Sequence, residues 1–277
     1  MLVWKTYFGT APYQIVLVGG GLSSYLASTD SSTNQPLWNS NVDQTLATFL
    51  IVQSGAQLSG ATGLGTIGSQ VQSIAGSLDL SVQENVNLYK ITLAPGHFWR
   101  LGVELDAHRI GSNLSGALTL FDQSGNVLAT RDAGTGLPSD PNDPYLFTGL
   151  NPGVYYIGVS GAGNLAGQTG GYNPVTGTTG SLGQVQLGGA YQLQVVADPA
   201  DSLTQVVGSS LQQADALDPT PTGLTLSFSG PIDPNSLMSN SPVLVCDASG
   251  LAWPVTLSSY QVNQVSFVFD QPLPPAG

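Results

Sequence analysis

The segment Asp132-Ala-Gly-Thr-Gly-Leu-Pro-Ser-Asp140-Pro-Asn142-Asp143 gathers three carboxylates and an amide in one Gly/Pro-rich loop. Hard oxygen donors on a loop that can wrap a cation are what Ca2+ takes. Asp132, Asp140, Asn142 and Asp143 are therefore the candidate metal ligands, and Ca2+ is the one candidate cofactor. The competing reading is that these side chains cap turns, and the spacing matches neither an EF-hand nor an Asp-rich repeat. Nucleophilic chemistry has less to draw on. The two histidines are His97, just after a Pro-Gly turn, and His108. Ser160 lies in Gly158-Val-Ser-Gly-Ala162, which lacks the closing glycine of a nucleophile elbow. Glu104 and Asp106 share one face of a strand, as a glycosidase pair would, but His108 and Arg109 follow directly, so a local ion pair is expected. The glycine clusters at 19–21 and 167–171 carry no phosphate-loop lysine and open no helix, so nucleotide binding is not expected. The single cysteine, Cys246, excludes an intrachain disulfide and a multi-cysteine zinc site. Trp99 and Tyr156 are candidate stacking surfaces for a carbohydrate or a matrix peptide, against the alternative that strand alternation turns such rings into a core. The chain reads as a non-enzyme.

The elements that must hold these residues are β-strands. Only 8% of the 277 residues are charged, against roughly 25% in an ordinary soluble domain. Glu and Lys are almost absent while Gly numbers 35 and Pro 18, which excludes a helical protein. Five Lys and Arg in all, at a net charge of −12, cannot neutralise a run of phosphates, so nucleic acid is excluded as a partner. No apolar run reaches the roughly 18 residues of a membrane helix. The first ten residues lack the charged-then-apolar pattern of a signal peptide. Yet the Gly/Ser/Thr/Asn-rich, lysine-poor composition suits an exported bacterial surface protein. The chain is accordingly expected to be an internal piece of a longer, extracellular or surface-bound protein.

Strand patterns recur along the chain with turns between them. Residues 1–53 hold strands at Tyr13–Val18 and Leu46–Val52 around a polar loop at 26–41, too little for an independent domain. Residues 54–70 are small and Gly-rich and read as a linker. From 71 to 197 about eight short strands alternate between apolar and polar positions, predicting an antiparallel β-sandwich or jelly roll. Phe98–Leu105 alternates most cleanly, and Asp122 and Asn126 flank Ser124-Gly125 as a tight hairpin turn. Residues 198–222 read as a Pro/Asp-rich connector, followed by strands at 224–228, 243–247 and 265–269 and a short helical turn after Asp233. The closing Leu273-Pro-Pro-Ala-Gly277 is a turn that would feed a further strand, so the chain is expected to stop inside a domain.

Four stretches resemble the bacterial pre-peptidase C-terminal domain, in that family's order: Leu88–Gly96, Gly116–Thr130, Asp143–Leu146 and Pro152–Ser160. The Leu-Phe-Asp-x-x-Gly-Asn hairpin and the Gly-x-Tyr-Tyr strand are the specific parts. Residues 224–237, 265–269 and 272–277 resemble a surface-layer-type bacterial Ig-like domain, and Ala11–Val18 resembles the strand that follows such a turn. The resemblance implies an all-β architecture: the C-terminal part of an Ig-like domain (1–53), a linker (54–70), a complete sandwich (71–197) and the N-terminal part of a second Ig-like domain (198–277). It also implies a non-catalytic spacer or adhesion module of a large exported protein. The alternative is an accessory binding module, for polysaccharide or protein matrix and Ca2+-dependent, attached to a secreted peptidase or other hydrolase. Calcium binding by related collagenase domains supports the Ca2+ assignment, although the strand carrying Glu84, Asn85 and Asn87 has lost carboxylates that relatives often show there.

Overall fold

The computed structural model describes residues 3–8, 11–16, 50–53, 56–79, 86–134, 142–180, 188–211, 221–238, 245–246 and 252–271. The expected loop 26–41, Asp140 and the closing turn 272–277 lie outside them. The protein is all-β, with several antiparallel sheets. Strands β1 (Val3–Phe8), β2 (Ala11–Val16) and β3 (Leu50–Gln53) form one antiparallel sheet in that order.

The central sandwich has two sheets. The first runs β4-β6-β11-β8-β9, built from β4 (Thr62–Thr66), β6 (Asn87–Leu93), β8 (Gly116–Phe121), β9 (Val127–Asp132) and β11 (Gly153–Gly161). The second runs β10-β7-β12-β5, from β5 (Gln72–Leu78), β7 (Trp99–Asp106), β10 (Tyr145–Leu150) and β12 (Gly189–Pro199). The period-two pattern decides which side chains meet. On β7, Trp99, Leu101, Val103 and Leu105 point inward; on β12, Tyr191, Leu193, Val195 and Ala197 do the same. They meet Tyr89, Ile91 and Leu93 of β6, Leu118 and Leu120 of β8, and Ile157 and Val159 of β11 in one core. Fully burying a Leu, Ile or Val is worth about 2 kcal/mol, so this layer supplies most of the sandwich's apolar stabilisation.

The stretch expected as a linker belongs to the sandwich. β4 pairs in parallel with β6, Ile67 is fully buried in the inner core, and Ala56 is fully buried beneath the first sheet's outer face. Its small residues satisfied the composition of a linker, but its sparse apolar ones are spaced to plug two cores. That outer face is itself covered. Ala56, Val86, Leu88, Phe121, Tyr156, Ala166 and Tyr172 form a second buried cluster, roofed by the long loop 162–180. The loop is held by its own polar groups: Ser160 Oγ donates to Asn164 O at 2.6 Å, Tyr172 N to Asn164 Oδ1 at 2.9 Å, and Asn164 Nδ2 to Thr179 O at 2.8 Å.

The C-terminal residues form a sheet in the order β13-β14-β18-β17, from β13 (Val206–Ser209), β14 (Gly223–Phe228), β17 (Val255–Gln261) and β18 (Gln264–Phe269). β15 (Val245–Cys246) and β16 (Ala252–Trp253) pair separately, and the predicted helical turn is α1 (Pro234–Met238). The segment expected as a connector thus contains an edge strand, β13, and its first residues close β12. A sheet with Leu224, Val265 and Phe267 on one face must bury that face. Strand and loop residues do so against the second sheet's outer surface, where Tyr145 and Val196 meet Ile232, Tyr260, Val262, Val265 and Phe267 in a third cluster.

Candidate functional site

The outer face of the second sheet carries a row of polar side chains that alternation alone would have left in water: Arg100, Glu104 and Asp106 on β7, and Gln194 and Asp198 on β12. Glu104, Asp106 and Asp198 are instead 1%, 2% and 3% exposed, because the C-terminal module lies over them. Gly102 permits the close approach. A Cβ there would sit 2.6 Å from Pro231 Cβ and 2.8 Å from Val262 Cγ2. Tyr145, on the neighbouring β10, donates its hydroxyl to Ile232 O at 2.7 Å.

The ion pair expected from sequence is formed and reaches further than a local pair. Arg109 Nη1 donates to Glu104 Oε1 at 2.7 Å and to Asp106 Oδ1 at 2.6 Å, and Nη2 donates to Tyr260 O at 3.0 Å. Glu104 Oε2 accepts the backbone N–H of Val262 at 2.6 Å, and Asp106 Oδ2 accepts Gln194 Nε2 at 2.5 Å. One buried network therefore joins the sandwich to the strand-turn-strand of β17 and β18. Burial pushes the Glu104 carboxyl up to about 8 and the Asp106 charge adds to the rise; Arg109 and the Val262 amide offset it only in part. Burial likewise raises the Tyr145 hydroxyl.

At the other end of the same sheet, Arg100 binds Asp198 through two nitrogens, Nε at 3.1 Å and Nη2 at 2.6 Å, and also donates to Pro199 O and Ser202 O. His97 Nδ1 lies 3.0 Å from Asp201 Oδ2, with its ring edge-on to Trp99. These contacts pin the chain where it leaves the sandwich.

The residues singled out for calcium are dispersed in their duties. Asp143 is 1% exposed, and its two oxygens accept the N–H groups of Ala107, His108 and Arg109 at 2.8–2.9 Å, capping the 3-10 turn that presents Arg109. Asp132 accepts Gly163 N at 2.9 and 3.0 Å, tying β9 to the long loop. Asn142 is half-buried beside Asp143. Among the described residues no three His, Cys, Asp or Glu side chains gather as a metal cage would require. The two proposed stacking rings are not brought together. Trp99 lies in the inner core with its indole N–H on Ala94 O, and Tyr156 lies under the long loop. Tyr155 and Tyr156 face opposite sides as alternation requires, but the outer side is covered, so neither ring forms an open platform. Ser160 is fully buried.

Sequence reasoning found Glu104, Asp106 and Arg109 but not their partners, since Val262 follows 158 residues later. The available signal was Gly102. A glycine inside a cleanly alternating strand marks close backbone approach.

Solved structures similar to this chain include a collagenase domain and a lysozyme inhibitor. The pre-peptidase C-terminal domain of a collagenase from Bacillus anthracis matches at 18% identity and a TM-score of 0.31, covering 49% of this chain and 93% of that one. PliG, a periplasmic inhibitor of g-type lysozyme from Aeromonas hydrophila, matches at 13% identity and a TM-score of 0.28, covering 50% of this chain and 96% of that one. No family model and no curated protein matches the sequence. Among the described residues no helix is long and apolar enough to cross a membrane.

Proposed function

We propose that this chain is a non-catalytic structural module of an exported bacterial surface protein, a rigid spacer that fixes the direction of one β-module relative to the next. The flanking sheets are read as parts of Ig-like domains and the sandwich as a pre-peptidase C-terminal-type domain, on the motifs at 88–96, 116–130, 143–146 and 152–160. The observation that carries the reading is the Glu104–Val262 hydrogen bond, set inside a buried apolar cluster shared by both modules. A flexible tether leaves its modules with wet, polar facing surfaces. Here the facing surfaces share side chains, and the exit of the chain is pinned by Arg100 and Asp198. A low-charge, Pro/Gly-turned β fold also suits an extracellular setting, where no partner helix or nucleotide is needed.

Backbone 15N relaxation on the intact chain tests this. A single rotational correlation time for residues 56–180 and 255–269 is expected. Separate tumbling of the two groups would overturn the spacer reading.

A further inference from the structure

Among the described residues, the Glu104 end of the interface that welds the modules contains two carboxylates and one guanidinium. Glu104 and Asp106 stand two residues apart on the same face of β7, and both place an oxygen on the single Nη1 of Arg109. The other groups facing Glu104 are neutral or more remote. Tyr145 comes from β10, Gln194 from β12, and Tyr260 and the Val262 amide from the docked module. Asp233, next to Ile232, acts on Tyr145 from the same side, and Asp143 is spent on the backbone of residues 107–109. Arg100 is occupied by Asp198 further along the strand. The charges that act on Glu104 are those of Asp106 and Arg109. Docking therefore closes a dry surface over one surplus negative charge.

Burying such a charge is costly, and the cheapest relief is a proton from solvent. Glu104 Oε1 and Asp106 Oδ1 both accept from Arg109 Nη1, and Glu104 Oε2 accepts the Val262 amide, so a proton carried on Oε1 leaves the contact that joins the modules in place. We propose that the Glu104–Asp106–Arg109 cluster is a proton-operated clasp, in which docking of the C-terminal module takes up one proton, so that the modules grip more tightly in mildly acidic than in alkaline surroundings. The inference rests on the spacer reading and adds a condition to it. In the undocked chain Glu104 is wetted and titrates near its ordinary 4.5; under the docked module burial and Asp106 carry it to about 8. Between those limits the docking constant falls by up to tenfold per pH unit as pH rises, and it levels off above.

The Val262 amide reports the clasp directly, because it donates to the group that titrates. Its hydrogen-exchange protection factor, corrected for intrinsic exchange and measured on the intact chain, is expected to fall as pH goes from 5 to 8 and then flatten. Glu104→Gln keeps an acceptor without a titrating group and is expected to flatten the whole profile. Glu104 13Cδ shifts, read on the unaltered chain, are expected to show a midpoint far above the ordinary carboxyl range, and Asp106→Asn to bring it down. The unaltered-chain measurement stands even where a variant fails to fold. A flat Val262 profile in the unaltered chain, an ordinary Glu104 midpoint, or a slope that survives Glu104→Gln would overturn the clasp. If the modules tumble together at every pH with flat protection, the clasp alone falls. If they tumble apart at every pH, the spacer reading falls with it.

Discussion

Asp143 shows how a residue that looks like a ligand is used as a cap. Three backbone N–H groups of one 3-10 turn converge on its two oxygens, and the first of them belongs to the fully buried Ala107. A helical turn that ends inside a protein leaves orphan donors, and a carboxylate is the strongest acceptor for them. Asp143→Ala is expected to cost about 3 kcal/mol in urea unfolding, since buried donors lose a charged partner. Asp143→Asn should cost roughly half of that, because one oxygen remains. The same side chain stood among the candidate Ca2+ ligands as a hard oxygen donor in a Gly/Pro-rich loop. A Ca2+ titration separates the roles: with Asp143 committed to the backbone, the melting temperature is expected to be the same in millimolar Ca2+ and in EDTA. Asp122 follows the same logic at a turn. It accepts Ser124 N, Asn126 N and Asn126 Nδ2, around Gly125 at φ 86°, and the Asn126 contacts hold its carboxyl below the ordinary range. The hairpin's contribution is therefore present at neutral pH and lost on acidification through that lowered value.

Elements were legible where one face meets a core and the other meets a polar layer. Strands β7, β12 and β14 were readable because Val, Leu and Tyr alternate with Gln, Arg, Thr or Ser. The hairpin at Asp122 and the turn after Asp233 were readable because their residues carry their own hydrogen bonds. β4 and β13 were not. β4 is a Gly/Thr strand whose pairing to β6 is non-local, and β13 sits at a sheet edge, where composition resembles loop. The ion pair at 104–109 was legible because its members are neighbours, while its buried setting depends on a module encoded far downstream. The roof formed by loop 162–180 was also hidden, since nothing in a Gly/Asn-rich loop announces that it will fold back over Phe121. Its fit depends on Gly158, above which Tyr172 lies fully buried against Phe121. Gly158→Ala puts a methyl group into that ring. Displacement of the loop is expected, read as faster proteolysis within 162–180 at a cost to the sandwich of about 1–3 kcal/mol. An unchanged digestion rate would mean that the loop is anchored by Asn164 and Ser160 rather than by the aromatic contact.

At the scale of the whole molecule, the coupling between modules decides how the chain unfolds. Two modules that share a buried cluster and a buried charge network lose both when either opens, so the sandwich and C-terminal sheet should melt in one transition. Gly102 is the position at which that coupling can be cut without replacing any of the charged side chains. Gly102→Val drives side-chain atoms into Pro231 and Val262, which a Cβ alone would already crowd at 2.6 and 2.8 Å. The inner core beneath it, built from Leu101 and Val103, is left intact. Calorimetry is expected to resolve two transitions in this variant, with the C-terminal module melting first. The pH dependence gives the same coupling a sign. Because the folded-state Glu104 carboxyl lies near 8 rather than its ordinary 4.5, its contribution is complete below 4.5 and is lost as pH rises through 8. The single transition of the unaltered chain should therefore move to lower temperature between pH 5 and pH 8. In Gly102→Val the sandwich transition should lose that slope, since an undocked Glu104 meets water and titrates as an ordinary carboxyl. A sandwich transition that keeps the slope after the modules separate would place the source of the pH dependence within the sandwich and not at the interface.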